Sequence, residues 1–344
     1  MHMADALVSP VVGGSMWAAS AGLIGYSCKR VKADLESIRT PLMGVMAAFV
    51  FAAEMVNFAI PATGSSGHLG GGLLLAILLG PHAGFLTMAS VLIVQAVFFA
   101  DGGLLSLGCN IFNLGFFPCF VAYPFVYKPL ARLSGHKNRL ALAALAAAVV
   151  GLQLGAAGVV LETRLSGIAE LPLLSFALLM QPIHLAIGVA EGLATAAVVL
   201  FVARARPELL DGVAPSGLTI RRLLVAFAVA GLVLGAGVSW FASTRPDGLE
   251  WAVGEMAGDA AVGRTGHLHD TAAAMQRATA ILPDYGFTGG DAPDEPEPWP
   301  VLSRGTTVSG IVGGVLTLLL ALALGLGLGR KKRPAPELSP KNTA

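Results

Sequence analysis

The first two residues, Met1-His2, carry three nitrogens able to close on one metal ion. The α-amine and the His2 amide nitrogen would form a five-membered chelate ring. The same amide nitrogen and His2 Nδ1 would form a six-membered one. These donors share a plane and leave one in-plane position open. Planar nitrogen coordination suits Ni(II) or Cu(II), whereas Zn(II) prefers a tetrahedron. His2 is either such a ligand or an incidental polar residue in a frayed terminus. A fourth donor is available in "PATGSSGHLGGG" at 61–72, where His68 stands among glycines that permit tight turns and close backbone approach. A loop histidine bonded to backbone is the alternative for His68, and the two ligand readings reinforce each other.

Polar groups within apolar stretches are costly and are therefore functional candidates. Glu54 and Asn57 close one such stretch, and Asp101 in "FFADGG" ends another. Asn110 and Asn113, one turn apart in "LSLGCNIFNLG", could orient a ligand histidine or bond a neighbouring helix. Together with Ser66 and Asn57 they are the candidate supports around the ligands. His184 and Glu191 in "QPIHLAIGVAEGLATA" are seven residues apart, on one helix face, and read as a helix-to-helix hydrogen bond. The sequence pattern offers no ligand set for His82, after Pro81, or for His136 in a basic connection, and the His-x-His of "HLHD" at 267–270 reads as incidental in a solvated loop. Cys28, Cys109 and Cys119 make no CxxC pair. No GxxxxGK[ST] loop is present to hold ATP, and no HExxH to build a zinc protease. A membrane metalloenzyme using His68, Glu54 and His184 is the competing function, although His184 need not approach the outer loop. A scaffold whose histidines only hydrogen-bond is a third reading.

The elements that must position these groups are membrane helices. The 344 residues are 55% hydrophobic and only 12% charged, with mean hydropathy +0.73. Soluble domains carry about 25% charged residues. A net charge of +1 gives no surface for nucleic acid. Apolar stretches of the roughly 20 residues needed for a span lie at 4–28, 41–60, 69–80, 82–100, 104–127, 138–161, 172–203, 221–242 and 305–329; the short 69–80 is counted as a crossing because the charge parity then closes, the alternatives being a half-helix or a run-on through Gly80-Pro81. Basic residues collect in alternate connections, at Lys29 to Lys32, Arg132 to Arg139, Arg204 to Arg222 and the "RKKR" at 330–333. The positive-inside rule then puts the N-terminus outside and the C-terminus in the cytoplasm. The first helix has its charges after the apolar run, unlike a signal peptide. Met1 is expected to remain, because His2 is too large to permit its removal. A polar boundary lies near 204–220, and beyond it a loop at 243–304 separates the last two stretches. That loop is expected to gate access without supplying ligands, with Trp240 and Trp251 at the membrane interface.

"MHMADALVSP", "SSGHLGGG", "DGGLLSLGCNIFNLG" and "HLAIGVAEGLATA" together resemble the substrate-binding component of nickel and cobalt energy-coupling factor (ECF) transporters, the NikM/CbiM type. The similarity covers 1–206. Residues 207–344, with "RPDGLEWAVGEM" and "LPDYGF", look like the small N component, its PDGLE signature being Pro246 to Glu250. The resemblance implies an all-α integral membrane protein: a seven-helix ECF S-component bundle plus two transmembrane helices with an extracytoplasmic loop. It implies that the Met1 amine, the His2 amide and imidazole nitrogens and His68 hold the ion. It also implies a transport subunit of the cell (inner) membrane, without enzymatic activity, that takes Ni2+ or alternatively Co2+ as substrate. A transmembrane coupling protein (T/Q component) and cytoplasmic ATPase subunits (O component) would complete the importer. One departure is Met3-Ala4-Asp5-Ala6, where cobalt-type members commonly start MHIMEG and nickel-type ones MHIPDG.

Overall fold

The computed structural model describes residues 1–34, 39–132, 137–168, 171–211, 218–257, 263, 265–287 and 299–328. His136, the 330–333 basic cluster and most of the proline-rich run at 291–300 lie outside the described residues. Apolar sequence folds here as helix because a helix pairs its backbone groups within one segment, as a nonpolar medium requires. The helices are α1 (Pro10–Asp34), α2 (Arg39–Glu54), α3 (Gly72–Leu79), α4 (Pro81–Phe99), α5 (Leu107–Arg132), α6 (Lys137–Leu165), α7 (Leu173–Ala205), α8 (Ile220–Ala236), α9 (Gly248–Ala257), α10 (His267–Thr279) and α11 (Arg304–Leu328). Among the described residues, α4, α5, α6, α7 and α11 are long and apolar enough to cross a membrane.

Each expected apolar stretch holds a helix, with three departures. First, α1 starts at Pro10, not at residue 4, and Asp5–Leu7 form a single 3-10 turn. Second, α3 has only eight residues, all buried, which at about 1.5 Å per residue gives roughly 12 Å. That is too short for a crossing on its own. Gly80, at φ 84°, turns the chain, and Pro81 starts α4. Third, the 243–304 connection contains α9 and α10, so "HLHD" begins a helix instead of lying in a flexible loop.

Small residues bring the helices together, as is usual where no solvent drives them. Gly188 and Gly192 of α7 face Val149 and Leu145 of α6, where any Cβ would be crowded. On α11 the buried face is Gly305, Ser309, Gly310, Gly313, Thr317, Ala321 and Gly325. This face packs on α2 and α8, with Gly310 against Gly235 and Gly313 against Phe51. The C-terminal helices are thereby fixed to the second helix of the N-terminal part.

A small hairpin joins α2 to α3. Phe58–Ala59 (β1) pairs antiparallel with Ser66–Gly67 (β2), and Asp247 adds a parallel bridge to Ser66. Ser66 N donates to Pro246 O at 2.8 Å, and Ser66 Oγ to Arg245 O at 2.8 Å. This pairing sets Asp247 and His68 in register, although 179 residues separate them in the chain.

Candidate metal centre

The N-terminal segment is laid down as extended chain because its backbone is paired from one side. Asn110 Oδ1 accepts the Met3 amide at 2.8 Å, and Asn110 Nδ2 donates to Met3 O at 3.2 Å. Met3 O also accepts from Gly103 N and Ser106 Oγ. Asp5 Oδ1 accepts from Ser106 N at 2.9 Å. Met1 is 4% exposed and its terminal methyl lies against Gly155 of α6. Gly102, at φ 81°, lets the 101–103 turn pass close to His2 and Asn110.

These contacts bring both ends of the Met1-His2 unit to His68. The His2 and His68 rings are near-parallel, 17° apart in plane, with centroids 5.0 Å apart. The Met1 ammonium donates to Asp247 Oδ2 at 2.6 Å, and His2 Nδ1 lies 2.9 Å from Asp101 Oδ1. Tyr285 Oη donates to Asp101 Oδ2 at 2.5 Å. A cleft of about 1050 Å³ opens onto the group, lined among others by His2, His68, Asp101, Asp247, Glu250 and Tyr285. Burial lowers the His68 pKa to about 4, helped by the Met1 ammonium and His2, so at neutral pH its ring offers a lone pair. Burial disfavours ionised Asp101 and Asp247. Nevertheless His2 beside the first, and the Met1 ammonium beside the second, hold both below the usual carboxylate range. Burial and the neighbouring Asp101 raise Tyr285 well above an ordinary phenol. Among the described residues no three His, Cys, Asp or Glu side chains are placed to hold a metal.

The expected supports divide. Asn110 pins the N-terminal backbone instead of a histidine. Asn113 donates to Glu162 at 2.7 Å and so joins α5 to α6. Ser66 anchors the 245–246 backbone, and Asn57 lines the cleft and accepts Ser243 N through its carbonyl. One expectation is corrected. The His184 ring lies near Gly248, next to Asp247, where an added Cβ would be 3.8 Å from it. Its Nδ1 bonds Met180 O within its own helix. Glu191 accepts Gly70 N at 2.8 Å, which steadies the segment behind His68. Neither makes the helix-to-helix bond expected of it. Trp240 Nε1 donates to Thr307 Oγ1, and Trp251 packs over Gly64. Sequence reasoning missed Asp247 and Tyr285. A buried ammonium needs a counter-ion, and that requirement could have singled out an acid in the PDGLE stretch.

Asn110→Ala leaves the buried Met3 N–H unpaired. The expected cost is about 1–3 kcal/mol of stability, with metal affinity about 10–100-fold weaker, as for other residues that orient ligands. Thermal unfolding and a binding titration check it. A normal affinity would show that the terminus finds its place without Asn110.

The family described as the cobalt uptake substrate-specific transmembrane region (CbiM) matches residues 2–209, and the PDGLE domain matches 221–330. A protein of Archaeoglobus fulgidus named as a fused nickel transport protein NikMN is 33% identical, over 93% of this chain and 96% of its own. The fused nickel transport protein NikMN of Rhodobacter capsulatus is 29% identical, over 85% and 84% of the two chains. The cobalt transport protein CbiM of Sorangium cellulosum is 30% identical, over 61% of this chain and 95% of its own. A crystal structure titled as a truncated transition metal transporter is 30% identical with TM-score 0.52, covering 59% of this chain and 98% of that one.

Proposed function

This chain belongs to the CbiM family, joined to a PDGLE domain, and from that premise we propose that it captures nickel for an ATP-driven ECF importer. It is a multi-pass membrane protein of metal uptake. Residues 1–206 form the metal-binding membrane domain, and 207–344 the accessory domain. Nickel is preferred to cobalt because the donors favour a plane of four nitrogens and because fused relatives are named for nickel transport. The Met1 amine, the His2 amide and imidazole nitrogens, and His68 supply that plane. The carrying observation is the convergence of the Met1 amine, His2 and His68 at one cleft, with the imidazoles 5.0 Å apart. A T/Q coupling protein and O-type ATPase subunits complete the importer in the cell membrane, with the N-terminus outside. The metalloenzyme reading loses ground, since Glu54 is engaged by Gln95 Nε2 at 2.7 Å and the relatives are named as transport proteins.

Nickel-loaded protein is expected to be yellow and diamagnetic, because a strong planar nitrogen field pairs the d⁸ electrons. Magnetic and absorption measurements decide this. A paramagnetic octahedral ion with oxygen donors would refute the four-nitrogen site.

A further inference from the structure

The helix α10 divides into three faces. One bonds the rest of the protein. Buried His269 donates from Nε2 to Val8 O at 2.9 Å, and Gln276 Nε2 donates to Ala96 O at 2.9 Å and to Gly102 O at 2.7 Å. A second face carries the exposed Asp270 and Arg277. The third is apolar. Leu268, Ala272, Met275 and Thr279 fall within about 60° of arc at about 100° per residue, and Leu268 and Met275 are 56% and 59% exposed. Thr271 and Thr279 turn their hydroxyls back onto their own helix, donating to His267 O at 2.7 Å and Met275 O at 3.1 Å. The apolar face therefore needs no water to complete its hydrogen bonds.

This face stands at the level of the membrane boundary. Ala96 and Phe98 belong to the last turn of α4, and Phe98 O accepts from Ile281 N at 3.0 Å and Leu282 N at 3.2 Å. The chain after α10 thus satisfies carbonyls that end a span. Tyr285 stacks on Phe99, and Gly286 adjoins Gly305 in the first turn of α11, so α4 ends and α11 begins on one side of the bundle. Exposed apolar residues scattered singly are ordinary, whereas a contiguous run marks a contact surface. Here Ile281 and Phe287, each more than half exposed, carry the apolar face of α10 toward α11, whose Ile311, Val315 and Leu319 are exposed at every fourth residue along the span. The cleft beside His2 is lined by Ala273 and Gln276 and not by Leu268 or Met275, so the apolar face looks away from it.

We propose that α10 is an interfacial helix, with Leu268, Met275, Ile281 and Phe287 seated among the lipids of the membrane face where α4 ends. Asp270 and Arg277 stay in water. The partner is the lipid surface itself, and helices of this kind bury their apolar side about 5–10 Å deep. The attraction is apolar, because the one Asp and the one Arg of α10 cancel. Neutral and anionic lipids should therefore hold it alike. Through His269 and Gln276 the same helix steadies the segment that follows Met1-His2 and the turn at Gly102.

Tryptophan placed along the helix tests this in the full-length protein, reconstituted in nanodiscs of phosphatidylcholine. Leu268→Trp and Met275→Trp put the probe on the apolar face, and Ala274→Trp puts it on an exposed position about 120° round the helix. Fluorescence is read as the difference from the parent protein. Bromine on the acyl chains should quench the signal added at 268 and 275 and leave that at 274 bright, and iodide in the water should do the reverse. Adding phosphatidylglycerol should change neither result. Iodide quenching at all three positions overturns the proposal. Shielding of 268 and 275 from both quenchers overturns it too, since a protein surface would then cover the face. A double variant, Leu268→Gln with Met275→Gln, keeps the helix propensity and in water would leave α10 as it was. In the bilayer it should speed amide hydrogen exchange across 267–279 while α4 is unchanged. Exchange equal to that of the parent would sink the interfacial assignment.

Discussion

Adding two residues, Gly-Ser, ahead of Met1 abolishes high-affinity nickel binding while the protein still folds. The extension turns the Met1 amine into an amide and moves the free amine about 7 Å along the chain. The five-membered chelate ring loses its amine donor, and the His2 amide nitrogen keeps only its six-membered ring with Nδ1. Two residues are needed in place of one. A single added residue would put the histidine third, where an amine, two amides and an imidazole again close a plane. Partners that only orient ligands are worth about 10–100-fold in metal affinity, so losing the amine itself should cost more than about a hundredfold. The fold tolerates the change because Asp247, which loses its ammonium, is 24% exposed at the cleft. Water can replace much of that bond, for a cost of about 1–3 kcal/mol. Calorimetric titration with nickel, alongside thermal unfolding, reads both effects. Unaltered affinity in the extended protein would remove the amine from the site and leave internal ligands as the only option.

His68→Ala should weaken nickel binding by more than about a hundredfold as well, with His2→Ala doing the same, and neither should unfold the protein. Each removes a nitrogen from a four-donor plane, a loss that square-planar ions tolerate poorly. Among the described residues the His68 ring hydrogen-bonds to the adjacent carbonyl of Leu69 and stacks on His2. The backbone on either side is held independently, by Ser66 on Pro246 and by Gly70 on Glu191. Truncating the ring therefore opens the cleft without releasing the loop. Titration of the purified variants settles the matter: wild-type affinity in either one excludes that residue from the ligand set.

The class of the protein, and Met1, His2 and His68 as candidate ligands, could be picked out from the chain alone, because both rest on local features. Charge depletion and apolar runs report membrane helices directly. The chelating capacity of Met1-His2 follows from covalent spacing, and each apolar stretch did become a helix. Local pattern could not reveal that α3 is an eight-residue half-helix, because Gly80-Pro81 reads equally well as a kink within a span. It also could not reveal the partners that hold the candidate ligands. Asp247 meets the Met1 amine across 246 positions of sequence, and Tyr285 meets Asp101 across 184. Those pairings exist because the small-residue face of α11 packs on α2 and the 246–247 segment bridges to Ser66. The same packing brought His184 beside Gly248 and sent Asn110 to the backbone of Met3. A side chain's type sets which bonds it can make. Which of them it does make depends on what the folded chain carries within about 3 Å, and only the tertiary structure decided that.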